Sequence, residues 1–351
     1  MHPHIFNFLL AFVLIILAAC QTTDYPVDHE QLSKEERIVI AFSHIVGENT
    51  PKGLAARRLA ELVKERTNGQ VEIQVFPNGY LYRDGEEMKA LLRGDIQMIA
   101  PAMSKLSNVA PEWEVFDLPF AFEKNEEVRD FLSGHMGEIL FRKLEMKGFH
   151  PVGIWDNGFK QMTNSIRPLH EPKDFLGLKF RIMPSSVISK QFKELNAMTQ
   201  ANSFNEVYQM LERGEMNAQE NTFSNIVSKN LHFLQSYLTI SNHGYLGYVI
   251  LMNQEFWESL PKDIKIILHE AMKEVSEWQY KIAKDLNEEA LRELKNCDCI
   301  EIYHLTSEEK HSWGNVFKPI YQQFEARFGA DYIKNLPKHK VDEVQQQIKG
   351  E

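Results

Sequence analysis

Apolar and polar positions divide the chain into short alternating segments. Residues 38–42, Ile-Val-Ile-Ala-Phe, are a continuous apolar run suited to a strand buried in a parallel sheet. Ala55, Leu59, Leu62 and Val63 then recur on one stripe of a helix that stops at Asn68-Gly69. Val71, Ile73 and Val75 alternate with polar residues as a second strand, residues 86–93 predict a short helix, and residues 96–100 a third strand. This β-α-β-α-β order predicts a parallel sheet with helices on both faces. Further on, Leu178, Phe180 and Ile182 alternate with Lys179 and Arg181, so a one-sided strand turns Arg181 away from its apolar neighbours. A helix stops at Gly214, and a brief polar strand follows that delivers Glu220 and Asn221. From Ser259-Leu260-Pro261 to about Lys295 the chain is helix-forming, roughly 50 Å at the usual rise. Thr306-Ser307-Glu308-Glu309 has the form of a capping box, and the acidic, Gln-rich end from Asp342 is expected to fray.

Residues 5–19 are apolar but short of the roughly 20 that a membrane span needs, and they read as the core of a signal peptide. Leu17-Ala18-Ala19-Cys20 resembles a bacterial lipoprotein signal, which implies cleavage before Cys20 and lipid on that cysteine. Several acyl chains anchor firmly where one is marginal. The four residues ahead of the apolar stretch carry no Lys or Arg, a departure from the usual signal. Residues 20–36 are polar and charged, a tether between anchor and folded body.

With 43% hydrophobic and 25% charged residues in 351, the composition is soluble and globular, and the length suits two lobes. A formal net charge of −10 argues against nucleic acid or an anionic bilayer surface as the main partner. It does not argue against a small anion, because exposed charges beyond about 8–10 Å are screened and a few cations in a cleft outweigh them. Cys297 and Cys299 stand only two apart and are read as unpaired. The thirteen histidines show no metal-ligand spacing, and neither a metal nor a cofactor is expected. No Gly-x-Ser-x-Gly and no Walker A loop is present, which disfavours a hydrolase.

Arg181 and Asn221 carry the chemistry. A guanidinium fork pairs bidentately with a carboxylate and an amide adds one donor, so together they read as a receptor for an organic anion. The plain alternative is a solvated strand arginine and a turn asparagine. In α/β sheets ligands lie beyond the carboxyl ends of strands, which places His44, Asn49 and Lys105 near the same cleft. Phe116-Asp117-Leu118-Pro119-Phe120 reads as packing, and Trp155-Asp156-Asn157-Gly158-Phe159-Lys160 as the crossing into a second lobe.

Several of these segments together resemble the solute-binding subunit of a tripartite ATP-independent periplasmic (TRAP) transporter, of the DctP type that binds C4-dicarboxylates. They are Phe42-Ser43-His44 with Glu48-Asn49-Thr50-Pro51-Lys52-Gly53, Val75-Phe76-Pro77-Asn78, Phe116-Asp117-Leu118-Pro119-Phe120, Trp155 to Thr163, Gly177 to Ile182, Gln219-Glu220-Asn221-Thr222 and Ser241 to Tyr248. The resemblance implies a two-lobed α/β binding fold with a central cleft and a long helix running along both lobes. Lobe I would take residues 37–157 and 247–285, and lobe II residues 158–246 and 286–351. It implies that Arg181 pairs with a ligand carboxylate and that Asn221 contacts it. Phe204 and Trp155 would line the pocket, Lys160 would meet a second carboxylate, and Glu220 would orient Arg181. It also implies a monomeric, extracytoplasmic binding protein, not an enzyme, that delivers its ligand to a membrane permease. Ala218 stands where relatives carry glycine, which bears on loop shape and ligand identity. A sugar acid as ligand, or presentation to a signalling sensor, is the alternative use of the same fold.

Overall fold

The computed structural model describes residues 37–337. The signal peptide, Cys20, the tether and the end from Asp342 lie outside them. The chain runs β1 (Ile38–Ser43), α1 (Pro51–Arg66), β2 (Val71–Phe76), α2 (Glu87–Leu92), β3 (Met98–Ile99), α3 (Met103–Leu106), and, after a 3-10 turn at Pro111–Asp117 and two helices, β4 (Phe149–Asn164). It continues through β5 (Lys179–Ile182), α4 (Ser186–Glu194), β6 (Met198–Ala201), β7 (Ala218–Asn221), α5 (Phe223–Ser228), β8 (Tyr237–Asn253), α6 (Lys262–Asn296), β9 (Glu301–His304) and α7 (Ser307–Phe328).

Local chemistry fixes the ends of these elements. Thr50 caps α1, its Oγ1 accepting from Gly53 N at 3.2 Å, with Pro51 at the first helical position. Ala55, Ala56, Leu59, Leu62 and Val63 are its buried stripe. Thr306 and Glu309 form the expected reciprocal cap of α7.

One sheet carries the strands in the order β2-β1-β3-β8-β4-β7-β5-β6, with β9 on the edge of β8. The parallel pairing expected from the first five elements is present between β1 and β3, and two long strands, β4 and β8, which pair antiparallel with one another, make the whole sheet mixed. β3 joins the carboxyl end of β8, antiparallel at Met98↔Met252, while β7 joins the carboxyl end of β4 at Gln161↔Asn221. Trp155 to Lys160, expected as a crossing, is the middle of β4, with register shifts between Asp156 and Gly158 and between Lys160 and Met162. The two outer groups, β2-β1-β3 and β7-β5-β6, therefore sit at opposite ends of one antiparallel ribbon.

Helix α6 is 35 residues long and tracks both groups. Its first half meets α1, where Arg66 pairs with Glu274; further along, Asn287 Oδ1 accepts from Ser224 N at 3.1 Å and its Nδ2 donates to Asn157 O at 2.7 Å. Beyond α6 the chain corrects a second expectation: Cys297 and Cys299 form a disulfide. Asp298 between them takes a left-handed φ of 49°, which folds the chain back and brings the two Cα atoms to 5.1 Å.

Candidate functional site

Arg181 lies on β5, at 1% exposure, which removes the reading of a solvated strand arginine. Its Nε and Nη2 both donate to the main-chain oxygen of Asn202, at 3.0 and 2.5 Å, and its guanidinium stands 5.9 Å over the Phe204 ring. Burial lowers its pKa to about 10, against the opposing pull of Glu220 and Glu206, so the group stays charged. Asn221 ends β7; its Oδ1 accepts from Asn225 Nδ2 at 2.7 Å and from Thr222 N at 3.1 Å, which leaves the amide donors of Asn221 for another partner.

Glu220, expected to orient Arg181, is committed elsewhere. Its Oε1 accepts from Lys160 Nζ at 2.8 Å and its Oε2 from His243 Nε2 at 2.8 Å. Burial alone would raise the Glu220 pKa, but Lys160 and His243 hold it at about 2. An ionised carboxylate only accepts, so His243 carries its proton on Nε2 and its Nδ1 accepts from Ser241 Oγ at 2.7 Å. The group that orients Arg181 is the carbonyl of Asn202. Lys160 is 1% exposed and keeps two ammonium protons beyond the one Glu220 takes. Asp117, whose Oδ1 accepts from Ser104 Oγ at 2.5 Å, is raised to about 6 by burial, with Lys160 pulling the other way.

The opposite wall comes from the first strand group. His44, Lys52 and Lys105 are all buried there. Neither ring nitrogen of His44 has a hydrogen-bond partner among the described residues; burial, then the charge of Lys52, lowers it to about 3, so its ring is neutral. Lys52 donates to Ala100 O at 2.9 Å, sits 3.8 Å over the Tyr248 ring, and is lowered to about 7 by burial against the pull of Glu87. Lys105 pairs with the buried carboxylate of Asp84. Burial, then Lys52 and Arg181 as cationic neighbours, push the Lys105 ammonium well below its ordinary value. Trp155 is fully buried beside Phe42, ring centroids 6.0 Å apart, and its Nε1 has no partner among the described residues.

The structure thus gathers Arg181, Phe204, Lys105 and Lys52 through mutual contacts or charges, with His44 and Trp155 flanking Phe42. Asn49 is exposed in the loop before α1, and that loop's capping role falls to Thr50. Lys52, Asp84, Asn202 and His243 were not singled out from the sequence. A strand or helix period marks which face is buried and gives no sign of which buried polar residue another segment will meet.

The sequence model of the family described as bacterial extracellular solute-binding protein, family 7 (DctP), matches residues 42–327. The C4-dicarboxylate-binding protein DctB of Bacillus subtilis is 45% identical over 315 residues, 90% of either chain. A TRAP periplasmic solute-binding protein of Sulfurospirillum deleyianum, solved with bound succinate, superposes with a TM-score of 0.82 at 41% identity, covering 86% of this chain and 98% of its own. One from Pseudomonas aeruginosa, solved with bound L-malate, gives 0.79 at 34% identity, covering 82% and 99%. The fold is theirs, the two-lobed α/β class that the sequence predicts.

Proposed function

The chain belongs to family 7 of the bacterial extracellular solute-binding proteins, the DctP family, and from that premise we propose that it captures a C4-dicarboxylate such as succinate, fumarate or malate. The observation that carries this reading is the meeting of three buried basic side chains, Arg181, Lys105 and Lys52, in one place. Buried like charges repel one another and are poorly solvated, and a bound dianion offsets both costs.

In this reading one ligand carboxylate lies on the Arg181 fork and the Asn221 amide, and the other reaches Lys105 with Lys52 behind it. Lys160 supports the first through the protons that Glu220 leaves it. His44 and the Trp155 indole N–H supply neutral polar contacts, and Phe204 forms a wall. Residues 37–157 and 247–285 form one lobe and 158–246 and 286–351 the other, and they close on the ligand by a hinge in β4 and β8. Closure excludes water and strengthens each ionic contact. The closed form delivers the ligand to a TRAP permease, and no bond in the ligand is made or broken. Lipid on Cys20 holds the protein to a membrane.

Thermal unfolding with succinate, fumarate, malate, a uronate and a sialic acid tests the reading. Ligand at a hundred times its Kd stabilises the native state by about 2.7 kcal/mol. A shift with C4-diacids alone, lost in Arg181→Ala, is the expected result. A shift with the sugar acids alone overturns the dicarboxylate assignment.

A further inference from the structure

Asp84 occupies a place that the ligand reading alone does not explain. It follows a loop whose left-handed pair, Asn78 (φ 58°) and Gly79 (φ 69°), rests on the end of β1: Asn78 N donates to Val46 O at 3.0 Å and Gly79 N to His44 O at 2.9 Å. The Asp84 side chain is 2% exposed. One of its oxygens, Oδ1, pairs with Lys105 on its own side of the cleft. The other, Oδ2, accepts from the main-chain N–H of Phe204 at 2.7 Å, on the turn that carries the Arg181 side of the site. Asn205 extends this seam outward, its Oδ1 accepting from Asp84 N at 3.3 Å and its Nδ2 donating to Asn78 O at 3.0 Å. A Cβ on Gly79 would stand 3.0 Å from that amide nitrogen, and its φ of 69° is one that side chains rarely adopt, so glycine suits the seam.

We propose that Asp84 is a positioning residue and clasp, which holds Lys105 charged for the second ligand carboxylate while fastening the loop of residues 78–84 to the Phe204–Asn205 turn. The inference rests on Lys105 being a carboxylate contact. The groups facing Lys105 are Asp84 from the loop after β2, Lys52 from α1 and Arg181 from β5. Two of those three are cations, and without the Asp84 carboxylate a buried ammonium between them gives up its proton. Asp84 in turn is tolerated in the interior because Lys105 and the Phe204 N–H both serve it. Drawing the two walls apart removes the Phe204 N–H and wets the pair. The charge on Lys105 and the closed arrangement are therefore linked.

The test is succinate binding to the full-length protein and to Asp84→Asn, Asp84→Ala and Asn205→Ala. Calorimetry at pH 8 in two buffers of different ionisation enthalpy counts protons taken up, and stopped-flow gives the dissociation rate. Asp84→Asn removes the charge but keeps an acceptor for the Phe204 N–H. It is expected to take up additional protons on binding, approaching one more than the wild type, as the ligand recharges Lys105. Asp84→Ala also loses the clasp and is expected to release succinate at least tenfold faster than Asp84→Asn. Asn205→Ala, on the outer side of the seam, is expected to speed release with the wild-type proton count. A merely structural Asp84 moves stability without moving that count. Equal proton counts in wild type and Asp84→Asn, or equal release rates for Asp84→Ala and Asp84→Asn, overturn the inference, as does an Asn205→Ala rate equal to the wild type's. A wild-type protein that binds no C4 dianion overturns the dicarboxylate reading itself, a result separable from all of these.

Discussion

Arg181 and Asn202 are joined by a two-pronged contact, Nε and Nη2 both donating to one carbonyl oxygen, at 3.0 and 2.5 Å. That leaves Nη1 of the fork without a hydrogen bond among the described residues. The carbonyl fixes the plane of the guanidinium before any ligand arrives. Arg181→Lys keeps the charge but cannot hold the carbonyl and a carboxylate in one plane. A hydrogen bond to a charged group is worth about 1.5–3 kcal/mol, so succinate affinity is expected to fall by roughly tenfold to a hundredfold. Calorimetric titration checks it; an unchanged Kd would show that charge alone suffices.

Lys160 and Glu220 form a buried pair, with side chains at 2% and 1% exposure. Removing one member strands the other charge in the interior. Lys160→Met is expected to cost about 3–5 kcal/mol in urea unfolding without ligand. The double variant Lys160→Met, Glu220→Gln is expected to regain most of that loss, because a neutral amide can still meet His243. Near-equal stability of the single variant and the wild type would contradict the pair's burial.

The elements closest to a simple period were legible in the sequence. The stripe of α1, the Thr306 cap and the extent of α6 all follow from residue spacing, since each depends on neighbours along the chain. The long strands β4 and β8 were not, because His243-Gly244-Tyr245 and Asp156-Asn157-Gly158 interrupt the alternation where the register shifts. Arg181 and Asn221 stood out through a family motif, whereas Asp84 and Asn202 act through contacts between distant segments. Asn202 contributes only its carbonyl to Arg181, a group every residue has, so no reading of side chains finds it.

The Cys297–Cys299 disulfide closes a very short loop and packs on the apolar cluster that includes Leu294 and Ile300. In the chain-entropy account a loop of about three residues gives only ~1.6 kcal/mol. Replacing both cysteines by serine is expected to lower unfolding free energy by that much or less and to leave succinate affinity unchanged. Denaturant unfolding and titration of the variant check both statements, and a large loss of affinity would tie this turn to the site.

Asp117 gives the pH dependence a definite sign. Burial raises its pKa from 3.8 to about 6 in the folded protein, so between those values the native state binds more protons than the unfolded chain. Its contribution to stability is complete below pH 3.8 and is lost as pH rises through about 6. Asp117→Asn keeps an acceptor for Ser104 and stays neutral throughout. The variant is therefore expected to exceed the wild type at pH 8 by about 3 kcal/mol, at about 1.4 kcal/mol per pKa unit, and the gap should close by about pH 4. Glu220 works in the opposite sense: held at about 2, it adds stability above its ordinary 4.5 that disappears as pH falls toward 2. Unfolding free energies of both proteins at pH 4, 6 and 8 separate the two, since the difference between wild type and Asp117→Asn cancels Glu220. A difference that stays constant across that range would mean that Asp117 does not titrate where its burial places it.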